Sequence, residues 1–183
     1  QIQGFYPIPM DNLNANPVFG AYYAKKFGER CEDMVVVSPD VGSVSRARTF
    51  AQKLHMSLAI VDKRRQKANQ SEVMNIIGDV AGKDCILFDD MVDTGGSLCN
   101  AAKAIVEVGG AKSVYACASH GVLSGPAVER VNGSPIKELA FLDTIAPIEA
   151  SLSDKIKYLT VAPVFAEAIE RIYQEISVSK LWV

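Results

Sequence analysis

Residues 85–108, CILFDDMVDTGGSLCNAAKAIVEV, constrain this chain more than any other stretch. An apolar run ends in two adjacent carboxylates, Asp89 and Asp90. Asp93-Thr94-Gly95-Gly96-Ser97 follows, and then a helical pattern. Strand, acidic pair, glycine-rich turn and helix together form the layout of a site for phosphate and sugar. The first amides of a helix lack intrahelical acceptors, and the helix dipole favours an anion beside them. Gly95 and Gly96 allow positive φ and close approach to an anion, while Thr94 and Ser97 add hydroxyl donors. Asp93 would repel a phosphate, so it has to face sugar hydroxyls or a divalent cation. Asp89 and Asp90 carry like charge, which is costly unless a cation or a donor-rich ligand offsets it. The ligand these residues call for is a phosphorylated sugar.

The rest of the chain reads as an α/β frame for that turn. Apolar runs at 34–37, 58–61, 85–88, 114–118 and 139–142 are mostly continuous, as in strands covered on both faces. Val44, Ala47, Phe50, Ala51 and Leu54 fit one helical face, and Leu98, Ala101, Ile105 and Val108 fit another. Gly109-Gly110 stops the second helix. The pattern predicts a parallel sheet of about five strands with right-handed helical crossovers. Asp40, Asp62-Lys63, Asp89, His120 and Asp143-Thr144 follow successive strands and should project from the carboxyl edge, where ligands bind. Pro163 opens a last helix whose apolar side (Val164, Phe165, Ala168, Ile169, Ile172, Ile176) is broad enough to pack on a partner.

Two further stretches bear on chemistry. Ser38-Pro39-Asp40-Val41-Gly42-Ser43 is a second strand-to-helix turn, able to hold a phosphate group, with Asp40 placed to meet a magnesium ion. Its plainer reading is a helix cap. Lys63-Arg64-Arg65-Gln66-Lys67 packs four positive charges into five residues at a strand end. A cationic loop closing over a polyphosphate would look like this. No G-x-x-x-x-G-K-[ST] and no G-x-S-x-G occur, so neither a Walker loop nor a hydrolase elbow is present.

Bulk properties narrow the class. The 183 residues suit a single domain, and the net charge of −2 supplies no global field to recruit nucleic acid or an anionic membrane. The four cysteines show no metal-ligand spacing and read as buried free thiols, which suits a cytoplasmic protein. The chain starts at Gln1 without an initiating Met and reads as a piece of a longer one.

DDMVDTGGS resembles the ribose-5-phosphate signature of the phosphoribosyltransferase (type I) fold. SPDVGSVSRAR, VDKRRQKAN, GVLSGPAVERV and the opening QIQGFYPIPMDNL extend the resemblance along most of the chain to the ribose-phosphate pyrophosphokinase family. The match covers the carboxyl-terminal domain of that two-domain family. The resemblance implies transfer of the β,γ-diphosphoryl group of ATP to the anomeric hydroxyl of ribose 5-phosphate, with magnesium, giving phosphoribosyl pyrophosphate for nucleotide biosynthesis. It assigns Lys63 and Arg65 to catalysis. Asp89, Asp90, Asp93, Thr94, Gly95, Gly96 and Ser97 fall to ribose 5-phosphate, and Asp40, Gly42 and Ser43 to the diphosphate. Asp40 also falls to the metal. It further implies a homohexamer, allosteric control by ADP and phosphate, and an amino-terminal domain, absent here, that completes the nucleotide site. The chain alone is then expected to be inactive. Ser43 stands where the family has glycine, and a Cβ there would crowd the turn if it needs positive φ. Two alternatives remain open: a non-catalytic regulatory homologue and a nucleobase phosphoribosyltransferase.

Overall fold

In the computed structural model, residues 2–64, 73–149 and 152–182 are described. The elements in chain order are α1 (Ile2–Phe5), α2 (Asn16–Phe27), β1 (Val35–Ser38), α3 (Val44–Lys53), β2 (Ser57–Arg64), β3 (Val73–Ile77), β4 (Asp84–Val92), α4 (Gly96–Glu107), β5 (Ser113–Gly121), α5 (Ala127–Asn132), β6 (Ile136–Leu142), β7 (Ile156–Leu159) and α6 (Ala162–Tyr173). They build one seven-stranded sheet in the order β3-β2-β1-β4-β5-β6-β7. All neighbours run parallel except β2 and β3, which are antiparallel.

The continuous apolar runs become strands buried on both faces. Along β1 and β4, Val35, Val37, Cys85 and Leu87 point into one core with Leu98, Ala101 and Ile105 of α4. Val36, Ile86 and Phe88 point into the other, with Phe19 and Tyr23 of α2 and Phe50 of α3. Phe88 stacks on Phe50 at 4.6 Å between ring centroids and meets Phe19 edge-on at 6.2 Å. Tyr23 is wholly buried and satisfies its hydroxyl by donating to Ala116 O at 3.0 Å. All four cysteines are buried free thiols, as their spacing implied.

The expected sheet was two strands short. β3 and β7 each sit at a margin of the sheet with a single neighbour. Among the described residues the connection from β2 to β4 holds no crossover helix: β3 returns antiparallel along the edge, and the chain then enters β4 on the far side of β1. Gly78, at φ 112°, permits this return: a Cβ there would stand 2.9 Å from the Ala59 Cβ. At the other end α6 turns Ala168 inward but leaves Phe165, Ile169, Ile172 and Tyr173 exposed. No described helix is long and apolar enough to cross a membrane.

Candidate active site at the carboxyl edge

β2, β1 and β4 are parallel neighbours, so their carboxyl ends emerge at one edge. β4 outruns β1 there. Its pairing with β1 stops at Leu87, whereas pairing with β5 continues through Met91↔His120 and Val92↔Gly121. Asp89 and Asp90 therefore lie on a two-stranded extension beyond the main sheet, inside a strand rather than after it. A cleft of about 480 Å³ opens beside them. It is lined by Asp40, Gly42, Ser43, Arg46, Asp89, Asp90, Asp93, Thr94, Gly95, Gly96 and Ser97, together with Met91, Val92 and Leu98. Both turns picked out in the sequence thus face one space.

The 93–97 turn is built on one left-handed residue. Gly95 caps α4 at φ 72°, ψ −4°, and Gly96 enters the helix directly with no positive φ of its own. A Cβ on Gly95 would meet the Ala127 carbonyl at 3.5 Å. Glycine is needed at 95 for conformation and, at 96, for open access to the helix end.

The 40–43 turn is arranged differently. Asp40 Oδ1 accepts from the Ser43 amide at 2.8 Å, and the Ser38 hydroxyl donates to Asp40 O at 2.7 Å. Asp40 thus caps the entry to α3, the plainer of its two sequence readings, while its carboxylate still lines the cleft. Ser43 sits at φ −88°, ψ −3° and is buried. Its Cβ brings no strain, which removes the objection to serine at this position.

Arg46 joins the two halves. Its Nη1 pairs with Asp90 Oδ2 at 2.8 Å, and its Nη2 donates to the Ser43 hydroxyl at 3.1 Å. Asp89 turns an oxygen to the Asp90 amide at 2.9 Å. Burial, then the charges of Asp90 and Asp40, push the Asp89 carboxyl up from 3.8 to about 6. Half-buried acid beside acid, next to the opening of α4, suits hydroxyl donors or a cation. Among the described residues, no group of three or more His, Cys, Asp or Glu side chains is arranged to hold a metal ion.

The remaining strand-end residues divide. Lys63 belongs to β2 itself, its backbone paired with Met74, so the strand runs further than the sequence suggested. Arg65 lies outside the described residues. His120 lines a neighbouring recess with Asn12, Asn14 and Arg46, and shares a 2.8 Å hydrogen bond with the Thr144 hydroxyl. Asp143 leaves the group: it accepts from the Val161 amide at 2.8 Å, tying down the start of α6, and that bond holds its carboxyl below the usual range.

Two contacts escaped sequence reasoning. Ser124 donates through its hydroxyl to Asp93 Oδ1, and Arg130 Nη1 donates to Thr94 O at 2.9 Å. The resemblance marked the stretch GVLSGPAVERV without a role, and the pairing of β4 with β5, which brings residue 121 beside residue 92, sets it against the turn.

Residues 65–183 match the model of the phosphoribosyl synthetase-associated domain. The chain is 60% identical over 182 residues to the ribose-phosphate pyrophosphokinase of Clostridium tetani, covering all of this chain and 57% of that protein. With the Bacillus subtilis ribose-phosphate pyrophosphokinase the identity is 50% over 182 residues, covering all of this chain and 56% of the relative. The fold superposes on the crystal structure of phosphoribosylpyrophosphate synthetase from Mycobacterium smegmatis with a TM-score of 0.82 and 36% identity, over 96% of this chain and 56% of that one. An adenine phosphoribosyltransferase structure, at 22% identity and TM-score 0.53, shares the fold over 66% of this chain and 75% of its own. The chain thus spans a little over half the length of the curated relatives it matches.

Proposed function

The chain belongs to the phosphoribosyl synthetase-associated domain family, and from that premise we propose that it is the carboxyl-terminal domain of a ribose-phosphate diphosphokinase. The observation that carries this reading is the shared cleft: two helix-opening turns and an acid pair around one space, at the carboxyl edge of the sheet. The anomeric hydroxyl of ribose 5-phosphate attacks the β-phosphorus of ATP and gives up its proton to solvent, the bond from that phosphorus to the oxygen of the α-phosphate breaks, and AMP leaves with the electron pair. The amides and hydroxyls at Thr94, Gly95, Gly96 and Ser97 hold the 5-phosphate. Asp89, Asp90 and Asp93 accept hydrogen bonds from the ribose, and the 40–43 turn with Gly42 and Ser43 receives the diphosphate. Lys63 and Arg65 neutralise charge on the group in flight.

A magnesium ion suits the donor set. The Asp40 carboxylate has an oxygen besides the one engaged by Ser43, and it stands close enough to Asp89 to raise it. When bound, magnesium would offset the charge of the phosphates. The nucleotide half of the site is assigned to an amino-terminal domain, in keeping with the 57% coverage of the Clostridium tetani relative. A homohexamer regulated by ADP and phosphate, working in the cytoplasm on small molecules and not on nucleic acid or membranes, completes the proposal. The exposed apolar side of α6 favours such association.

The test is AMP release from ATP and ribose 5-phosphate by this chain with and without the amino-terminal domain of a relative. Turnover is expected only with both. In the assembled enzyme Lys63→Ala should lower kcat by about 10²–10³, the usual cost of one such donor, with assembly intact. Unchanged turnover in that variant would favour a different site, and none in the unaltered assembly would favour the regulatory homologue.

A further inference from the structure

The segment from Gly121 to Arg130 lies outside the acid pair and both turns, yet it is fastened to the sugar end of the cleft at several points. The amides of Val122 and Leu123 donate to Val92 O at 3.0 and 3.1 Å, and the Ser124 amide donates to Asp93 O at 3.1 Å. The Ser124 hydroxyl then takes the Asp93 carboxylate, and Arg130 takes the Thr94 carbonyl. Ala127, fully buried, fills the space against Gly95. Leu123 holds φ 53°, a left-handed conformation that a branched apolar residue adopts only when its surroundings impose it.

We propose that Ser124 and Arg130 are positioning residues, Ser124 aiming the Asp93 carboxylate at the ribose and Arg130 fixing the turn that receives the 5-phosphate. The inference rests on the sugar-phosphate reading of the cleft. Asp93 is exposed in the turn that directly follows β4, and a free carboxylate there would rotate. With one oxygen held by Ser124, the other is presented in one direction, so less entropy is lost when a sugar hydroxyl binds. Arg130 acts on a different part. Pinning the Thr94 carbonyl leaves the following amides fixed at the mouth of α4.

The two roles separate by ligand. Titration calorimetry of the chain with ribose 5-phosphate and with inorganic phosphate tests them. Ser124→Ala should weaken ribose 5-phosphate by about tenfold, as expected for a lost hydrogen bond to a charged group, and leave phosphate unchanged. Ser124→Thr should restore binding, and in an Asp93→Asn background Ser124→Ala should have no further effect. Arg130→Met should weaken both ligands. Ser124→Ala binding ribose 5-phosphate like the unaltered chain overturns the proposal. So does an equal loss of both ligands in Ser124→Ala accompanied by a fall in its melting temperature, which marks a structural role only. If Arg130→Met fails to fold, the exposed Ser124 decides the matter. An unaltered chain that does not bind ribose 5-phosphate overturns the sugar-phosphate reading, and this proposal with it.

Discussion

The two helix-opening turns of the cleft reach similar ends by opposite means. The 40–43 turn is fastened from within: its own aspartate caps its own amide, and its own helix supplies Arg46. The 93–97 turn is fastened from outside, by Ser124 and Arg130 and by Ala127 behind Gly95. A turn that caps itself uses up donors and acceptors that a ligand would otherwise meet. A turn held by a neighbour keeps its amides outward. On the proposed function, the second would be the more committed anion site and the first would be part scaffold.

Five substitutions would break or sharpen the contrast. The largest effect is expected at Gly95. Gly95→Val puts a β-branched side chain at φ 72° against the Ala127 carbonyl, and should cost about 2–3 kcal/mol by denaturant titration. Ribose 5-phosphate binding should vanish with it. Next, Asp40→Ala unfastens the start of α3 and should lower stability by about 1 kcal/mol, the usual cost of a lost cap, whereas Asp93→Ala should leave stability almost unchanged. Equal losses in the two variants would erase the distinction between them.

Asp89 gives a smaller, pH-dependent effect. Its folded carboxyl stands at about 6 against 3.8 for the ordinary group, so the folded state binds the proton more tightly. That contribution to stability is complete below about pH 4 and is lost as pH rises through about 6. Asp89→Asn should therefore raise stability at pH 7 by about 1 kcal/mol, after solvent screening of this half-exposed group, and flatten the pH profile between those limits. A melting-temperature series from pH 4 to about 8 reads it. The smallest effect belongs to Ser43→Gly. With ordinary φ at that position, glycine should cost a few tenths of a kcal/mol at most, seen in the urea midpoint.

Much of this frame was legible because burial on both faces writes strands as unbroken apolar runs. β1, β2, β4, β5 and β6 showed themselves that way. β3 reads VMNII and β7 reads IKYL, short edge segments with one neighbour each and no continuous run, and they went unseen. The cleft was legible because each turn is local: Asp40 to Ser43, and Asp93 to Ser97. Its supports were not, since Ser124 lies 31 residues beyond Asp93 and Arg130 lies 36 beyond Thr94. Asp143 was misplaced for a related reason. Its position after a strand is shared with Asp40, but which amide claims a carboxylate depends on the next element, and here that is α6.

The antiparallel pairing at the sheet margin has a consequence for how the basic run can change. Arg64 is opposite Val73, so residues 65–72 leave and rejoin the protein at a single rung of a ladder. The ends are already together, and closing a longer excursion from that rung costs only about 0.6 kcal/mol per doubling of length. Insertions or deletions between the two strands should therefore change the length of the basic stretch at little cost to the sheet.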